Sequence, residues 1–156
     1  MAQPTHRNRQ AQGRLARTAD LAVQLAAQDR VGRTRARAAH EARALVGTVL
    51  ELVDQLKAER DPSERIVLQE TARDAAGRIV TLLDATGTRV ATARRSAQRS
   101  GLGLDQAMEL LDGTLLLAEV GLTGGRHLAL ELALIVRDGV DGLVGVEPAG
   151  ELVTAS

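Results

Sequence analysis

The sequence predicts an all-α fold. Three observations carry that expectation. Apolar residues recur in alternating steps of four and three along two long stretches, the spacing by which a helix buries one stripe against another helix. Phe, Tyr and Trp are absent, yet 44% of the chain is apolar, so any core is built from Leu, Val and Ala, side chains that suit closely approaching helices. One late segment is apolar on nearly every side, the mark of a helix buried inside others.

The first seam is the one around which the rest is organised. Ala42, Val46, Val49, Val53 and Leu56 follow each other in steps of four, three, four and three. Leu45, Leu50 and Leu52 widen the stripe. A helix of that length is marginal alone in water, so the stripe needs partners. Upstream, residues 1–13 read as a disordered basic tail. A helix is expected from Arg14, with Leu15, Leu21, Leu25 and Val31 loosely spaced and Gly32 marking a bend. Asp61-Pro62 ends this helix, because proline disfavours helical geometry in the residue before it. Ser63 is the expected cap of the next helix.

The second seam comprises Ala72, Ala76, Ile79, Leu83, Thr86, Val90, Ala93 and Ala97, again without a slip. It predicts one long helix from Glu64 to Gln98. Gly77 and Gly87 oppose it, each costing a helix interior about 1 kcal/mol relative to Ala. The rival reading is α+β, with a small β-meander at 65–94. Ser100-Gly101-Leu102-Gly103 is a break. A third helix is expected from Asp105, as N-cap, to about Val120, with Leu104, Met108, Leu111, Leu115 and Ala118 on one face and Gly121 as its stop. Thr123 is the expected cap of a fourth, running to Arg137, in which Leu128, Leu130, Leu132, Leu134, Ile135 and Val136 leave little polar surface; Gly139 is the expected residue past its end. The predicted architecture is an antiparallel bundle: a coiled-coil hairpin of two long helices with a shorter C-terminal helical hairpin, spanning 14–138, and a flexible acidic tail at 139–156.

Composition narrows the chemistry. The chain has no Cys, which removes disulfides, thiol catalysis and zinc–thiolate sites. Lys57 is its only lysine, and the Arg, Ala and Gly bias suggests GC-rich bacterial coding. The net charge is zero but unevenly spread. Residues 1–43 hold nine Arg and three acids, whereas residues 101–156 hold two Arg and nine acids. A basic head and an acidic tail attract each other within a fold or between subunits, and the head alone suits an anionic partner. No signal-peptide pattern is read in MAQPTHRNRQ. Leu104–Val136 is interrupted by Asp105, Glu109, Asp112, Glu119, Arg126, His127 and Glu131, short of the roughly 18 uninterrupted apolar residues of a membrane span.

No catalytic, cofactor or metal constellation is predicted. His6, His40 and His127 are scattered; His127 and Glu131 share a helix face and are expected to form an ion pair. The Gly-rich turns lack the strand context or the Gly-Lys-Ser/Thr of a phosphate loop. The sharpest signal is the basic run Arg30, Arg33, Arg35, Arg37 and Arg43, a candidate contact for the nucleic-acid backbone, although lack of aromatics excludes base stacking on aromatic rings. The expected function is a non-enzymatic, cytoplasmic assembly or scaffold protein, a homo-oligomer whose interaction seam is Ala42, Val46, Val49, Val53, Leu56, Ile79, Leu83, Val90, Leu111 and Leu115. The alternatives are a nucleic-acid-associated regulator and an amphipathic coat on a lipid or polymer surface.

Overall fold

The structure, a computed structural model, describes residues 6–122 and 124–143. These form five helices: α1 (His6–Ala58), α2 (Pro62–Leu83), α3 (Val90–Arg99), α4 (Leu104–Glu119) and α5 (Arg126–Gly142). No strand occurs among the described residues, so the fold is all-α and the β-meander is set aside. The chain divides into two units, Met1–Arg35 and Ala36–Ser156.

The first unit is helical from His6, so α1 takes in residues 6–13 of the expected tail and passes through Gly32. Its described side chains, from Asn8 on, are all exposed except half-buried Ala27.

The second unit holds the core. Ala42, Val46, Val49, Val53 and Leu56 are all buried, as the heptad spacing requires, and Ala39 extends the stripe by one step. Four ion pairs tie this part of α1 to α4: Lys57 with Asp105, Arg43 with Asp112 and Glu119, and His40 with Glu119. Residue numbers fall along α1 as they rise along α4, so the two run antiparallel. The greasy segment is central, as expected. α5 buries eight residues, including Leu130, Leu132, Leu134 and Val136, and packs on α2, α3 and α4. Gly139 allows close approach there, since a Cβ on it would lie 3.1 Å from Leu104 Cβ.

The second seam is not one helix. α2 ends at Leu83 and α3 begins at Val90. Asp84 accounts for the break. It is buried, its carboxylate accepts from the Arg89 N–H (2.9 Å), and its carbonyl accepts from the Gly87 N–H (3.1 Å). Gly87 takes φ +71°, which costs glycine little and other residues much. Local polar bonding therefore overrides the heptad at Thr86, while Ala72, Ala76, Ile79, Ala93 and Ala97 on either side stay buried.

The ends of helices differ from expectation in small ways. Asp61, not Ser63, caps α2: its carboxylate accepts from the Ser63 N–H, and Pro62 occupies the first turn, where its missing N–H costs nothing. Gly103 is the N-cap of α4, with Asp105 in the first turn favourable to the helix dipole. α5 runs through Gly139 to Gly142, so residues 139–142 of the expected tail are helical. Thr123 and residues 144–156 lie outside the described residues, as do residues 1–5 of the expected N-terminal tail.

Arg65 closes the second unit at one end. It is 8% exposed. Its Nη1 donates to the carbonyls of Leu56 (2.7 Å) and Glu59 (3.0 Å), and its Nη2 to that of Leu143 (3.0 Å). The last carbonyls of a helix lack partners within it and carry its negative end. One guanidinium thus satisfies the ends of α1 and α5 together.

Candidate functional site

The ten residues of the expected interaction seam all fall in the second unit. Ala42, Val46, Val49, Val53, Leu56, Ile79, Leu111 and Leu115 are buried in the single chain, and Leu83 and Val90 are half-buried. Their covering partners are other helices of the same molecule. In the single chain the seam serves the core of the second unit.

The uncovered apolar side chains lie elsewhere. In the first unit, Leu15, Leu21, Val23, Leu25 and Val31 are exposed, Leu15 at 70%. Leu21 and Leu25 sit in the same heptad phase as the buried seam, since stepping back from Ala39 gives Arg35, Gly32, Gln28, Leu25, Leu21, Thr18 and Arg14. In the second unit, α4 has two apolar faces. Ala107, Met108, Leu111 and Leu115 are buried, while Leu110, Leu116, Leu117 and Val120 are exposed, with Leu122 just beyond.

Among the five arginines singled out by sequence, Arg30, Arg33, Arg35 and Arg37 are exposed. Arg43 is engaged instead with Asp112 (3.1 Å) and Glu119 (3.4 Å). Those two carboxylates, Asp112 first, hold its guanidinium pKa above the ordinary value. Glu119 accepts from His40 and Arg43, and its carboxyl is held below the usual glutamate value, chiefly by the His40 hydrogen bond. The cluster locks α1 to α4. His127 Nε2 pairs with Glu131 at 2.9 Å, as the i, i+4 spacing indicated.

One concave feature was not foreseen: a groove of about 940 Å³ between α2, α3 and α5, into which Arg73, Arg78, Arg94 and Arg137 converge. Asp141 accepts from Arg73 (3.3 Å) and Gln69 (3.1 Å), and Asp74 and Asp138 also line it. The lining carries four cations and three carboxylates, so its field is nearly balanced. These residues come from three separate helices, and no local spacing announces them. Among the described residues no group of three or more His, Asp or Glu is placed to hold a metal ion, and no helix is long and apolar enough to cross a membrane.

Comparison with protein-family models, with curated proteins and with solved structures finds no match.

Proposed function

We propose that this chain is a non-enzymatic helical assembly protein that self-associates and acts as a scaffold or adaptor. The observation that supports this reading is the uncovered pair Leu21 and Leu25, one turn apart on one face of α1 and in the heptad phase of the buried seam. A helix that shows five large aliphatic side chains to water gains little from its own unit; helices in proteins draw most of their stability from packing. Exposed apolar groups of this size mark contact surfaces when they are grouped. The buried seam supplies the scaffold, and the uncovered side chains supply the contact. A cytoplasmic location belongs to this reading, since a chain without Cys suits a reducing compartment.

The test is sedimentation equilibrium with light scattering across a concentration series. Mass rising above that of one 16.5 kDa chain is expected. A monomer at every concentration defeats the proposal.

A second reading is favoured by the exposure of Arg30, Arg33, Arg35 and Arg37: salt-sensitive binding to a nucleic-acid backbone. A duplex gel shift at physiological salt tests it. Charge reversal at Arg33, Arg35 and Arg37 is expected to abolish any shift. Binding that survives the reversal removes these residues from the account.

A further inference from the structure

Two surfaces of this chain are apolar and uncovered, and their charges are opposite. The first is the α1 segment of residues 6–35, with seven Arg against Asp20 and Asp29, net +5. The second is α4, whose sequence holds Asp105, Glu109, Asp112 and Glu119 and no basic residue. Lys57 and Arg43 neutralise part of it, leaving the helix and its attached cations at net −2. Glu109 makes no ion pair among the described residues, and it lies on the exposed side of α4.

The outward side of α4 has its own helical stripe. Leu110, Gly113, Leu117 and Val120 succeed one another in steps of three, four and three. Leu110, Leu117 and Val120 are exposed along it. Gly113 has nothing within 4 Å of the place a Cβ would take, so a second helix can come close there. Leu116 flanks the stripe.

Resting on the self-association reading, we propose that residues 6–35 of one copy dock on this outward face of α4 in a second copy, Leu21 and Leu25 meeting Leu110, Leu117 and Val120. Two basic segments do not suit each other as well. Pairing them with one another brings +5 against +5, and puts Arg14, Gln28, Gly32 and Arg35 at seam positions that face a partner doing the same. Laid parallel to α4 with Leu21 and Leu25 level with Gly113 and Leu117, the segment instead brings Arg14 and Arg17 level with Glu109 and the acidic flank, and a polar residue at a seam position selects the partner that can satisfy it. The contact uses two different patches of the same chain, so two copies can close it by exchanging segments, and further copies can extend it where the exchange does not close.

Sedimentation velocity of the full chain tests this, with circular dichroism to confirm that helix content is kept. The wild-type chain is expected to form a dimer or larger species, and to dissociate as salt is raised, because opposite charges are being screened. L110Q/L117Q, both at exposed positions, is expected to weaken association at least tenfold. R14E/R17E and E109R are each expected to weaken it, and R14E/R17E/E109R in one chain to recover part of the loss. Association that survives L110Q/L117Q, or that strengthens with salt, overturns this docking while leaving self-association standing. A monomeric wild-type chain overturns both.

Discussion

Replacing Arg65 with Met should be among the most damaging single changes in the second unit. The side chain is nearly buried and bonds three carbonyls belonging to the ends of two helices. Met fills much of the same volume but donates nothing. A hydrogen bond to a charged group contributes about 1.5–3 kcal/mol, and a buried acceptor left alone costs about 1–3 kcal/mol. Three such losses do not simply add, because Glu59 is half-exposed and water can reach its carbonyl. The guanidinium also no longer has to be desolvated, which offsets part of the loss. A net cost of about 2–4 kcal/mol results, a large part of the roughly 5–15 kcal/mol that keeps a domain folded. Urea unfolding monitored at 222 nm measures it, since the chain has no aromatic residue to report by fluorescence. Arg65→Lys should fall between the two, keeping the charge but losing the planar fork that reaches Leu56 and Leu143 at once. A midpoint for Arg65→Met within about 0.5 kcal/mol of wild type would show that solvent serves those carbonyls as well as the arginine does.

Asp84→Ala should cost about 1–2 kcal/mol, as lost caps do, because the Arg89 N–H loses its acceptor at the start of α3; thermal melts read it, and an unchanged melting temperature removes Asp84 as the cause of the helix break. Glu119 has a carboxyl pKa depressed below 4.5 by its His40 and Arg43 bonds. Its contribution is therefore complete above the ordinary glutamate value and is lost as pH falls through the depressed one. Glu119→Gln should be less stable than wild type near neutrality, and the two melting curves should converge in acid; parallel curves down to about pH 2 would refute the linkage. Gly47→Ala should stabilise α1 by about 0.5–1 kcal/mol, since nothing lies within 4 Å of the new Cβ. Gly139→Ala should instead destabilise, because Leu104 Cβ sits 3.1 Å from the added methyl; calorimetry that gives both substitutions the same sign would show that Leu104 moves aside.

The parts of the fold legible in sequence were those set by apolar period alone. The seam from Ala42 to Leu56 and the all-round apolar α5 are buried as their apolar periods require, and no bond made there breaks the helix. The division of α2 from α3 was hidden for the opposite reason. Its apolar pattern runs through Thr86 in perfect register, and the break depends on one carboxylate turning back to the Arg89 N–H and on Gly87 reaching positive φ. Period counts cannot weigh that bond against the heptad. Arg65 was equally hidden. Charged residues are exposed by default, and its burial results from two helix ends, far apart in the chain at Leu56 and Leu143, meeting in space. The four-arginine groove is non-local in the same way.

The candidate site shows how one pattern fares differently at the two ends of α1. The heptad stripe asked for a covering helix and received one, but from within the chain, so its residues are spent on stability. What a partner can use is what the chain leaves uncovered: Leu21 and Leu25 in that same phase, and the second stripe on α4. The polar seam positions explain why the same register has different outcomes at its two ends. Between Ala39 and Leu56 no polar residue interrupts it, and a core of Leu, Val and Ala closes over it. Between Arg14 and Arg35, the interruptions Gln28 and Gly32 and the two terminal arginines would each be costly inside an apolar core. Such a stripe is poor at finding generic cover and better at choosing a partner that brings carboxylates. Specificity of that kind is obtained at a cost in stability, and under the proposed docking the exposed stretch from Arg14 to Arg35 is where that cost falls.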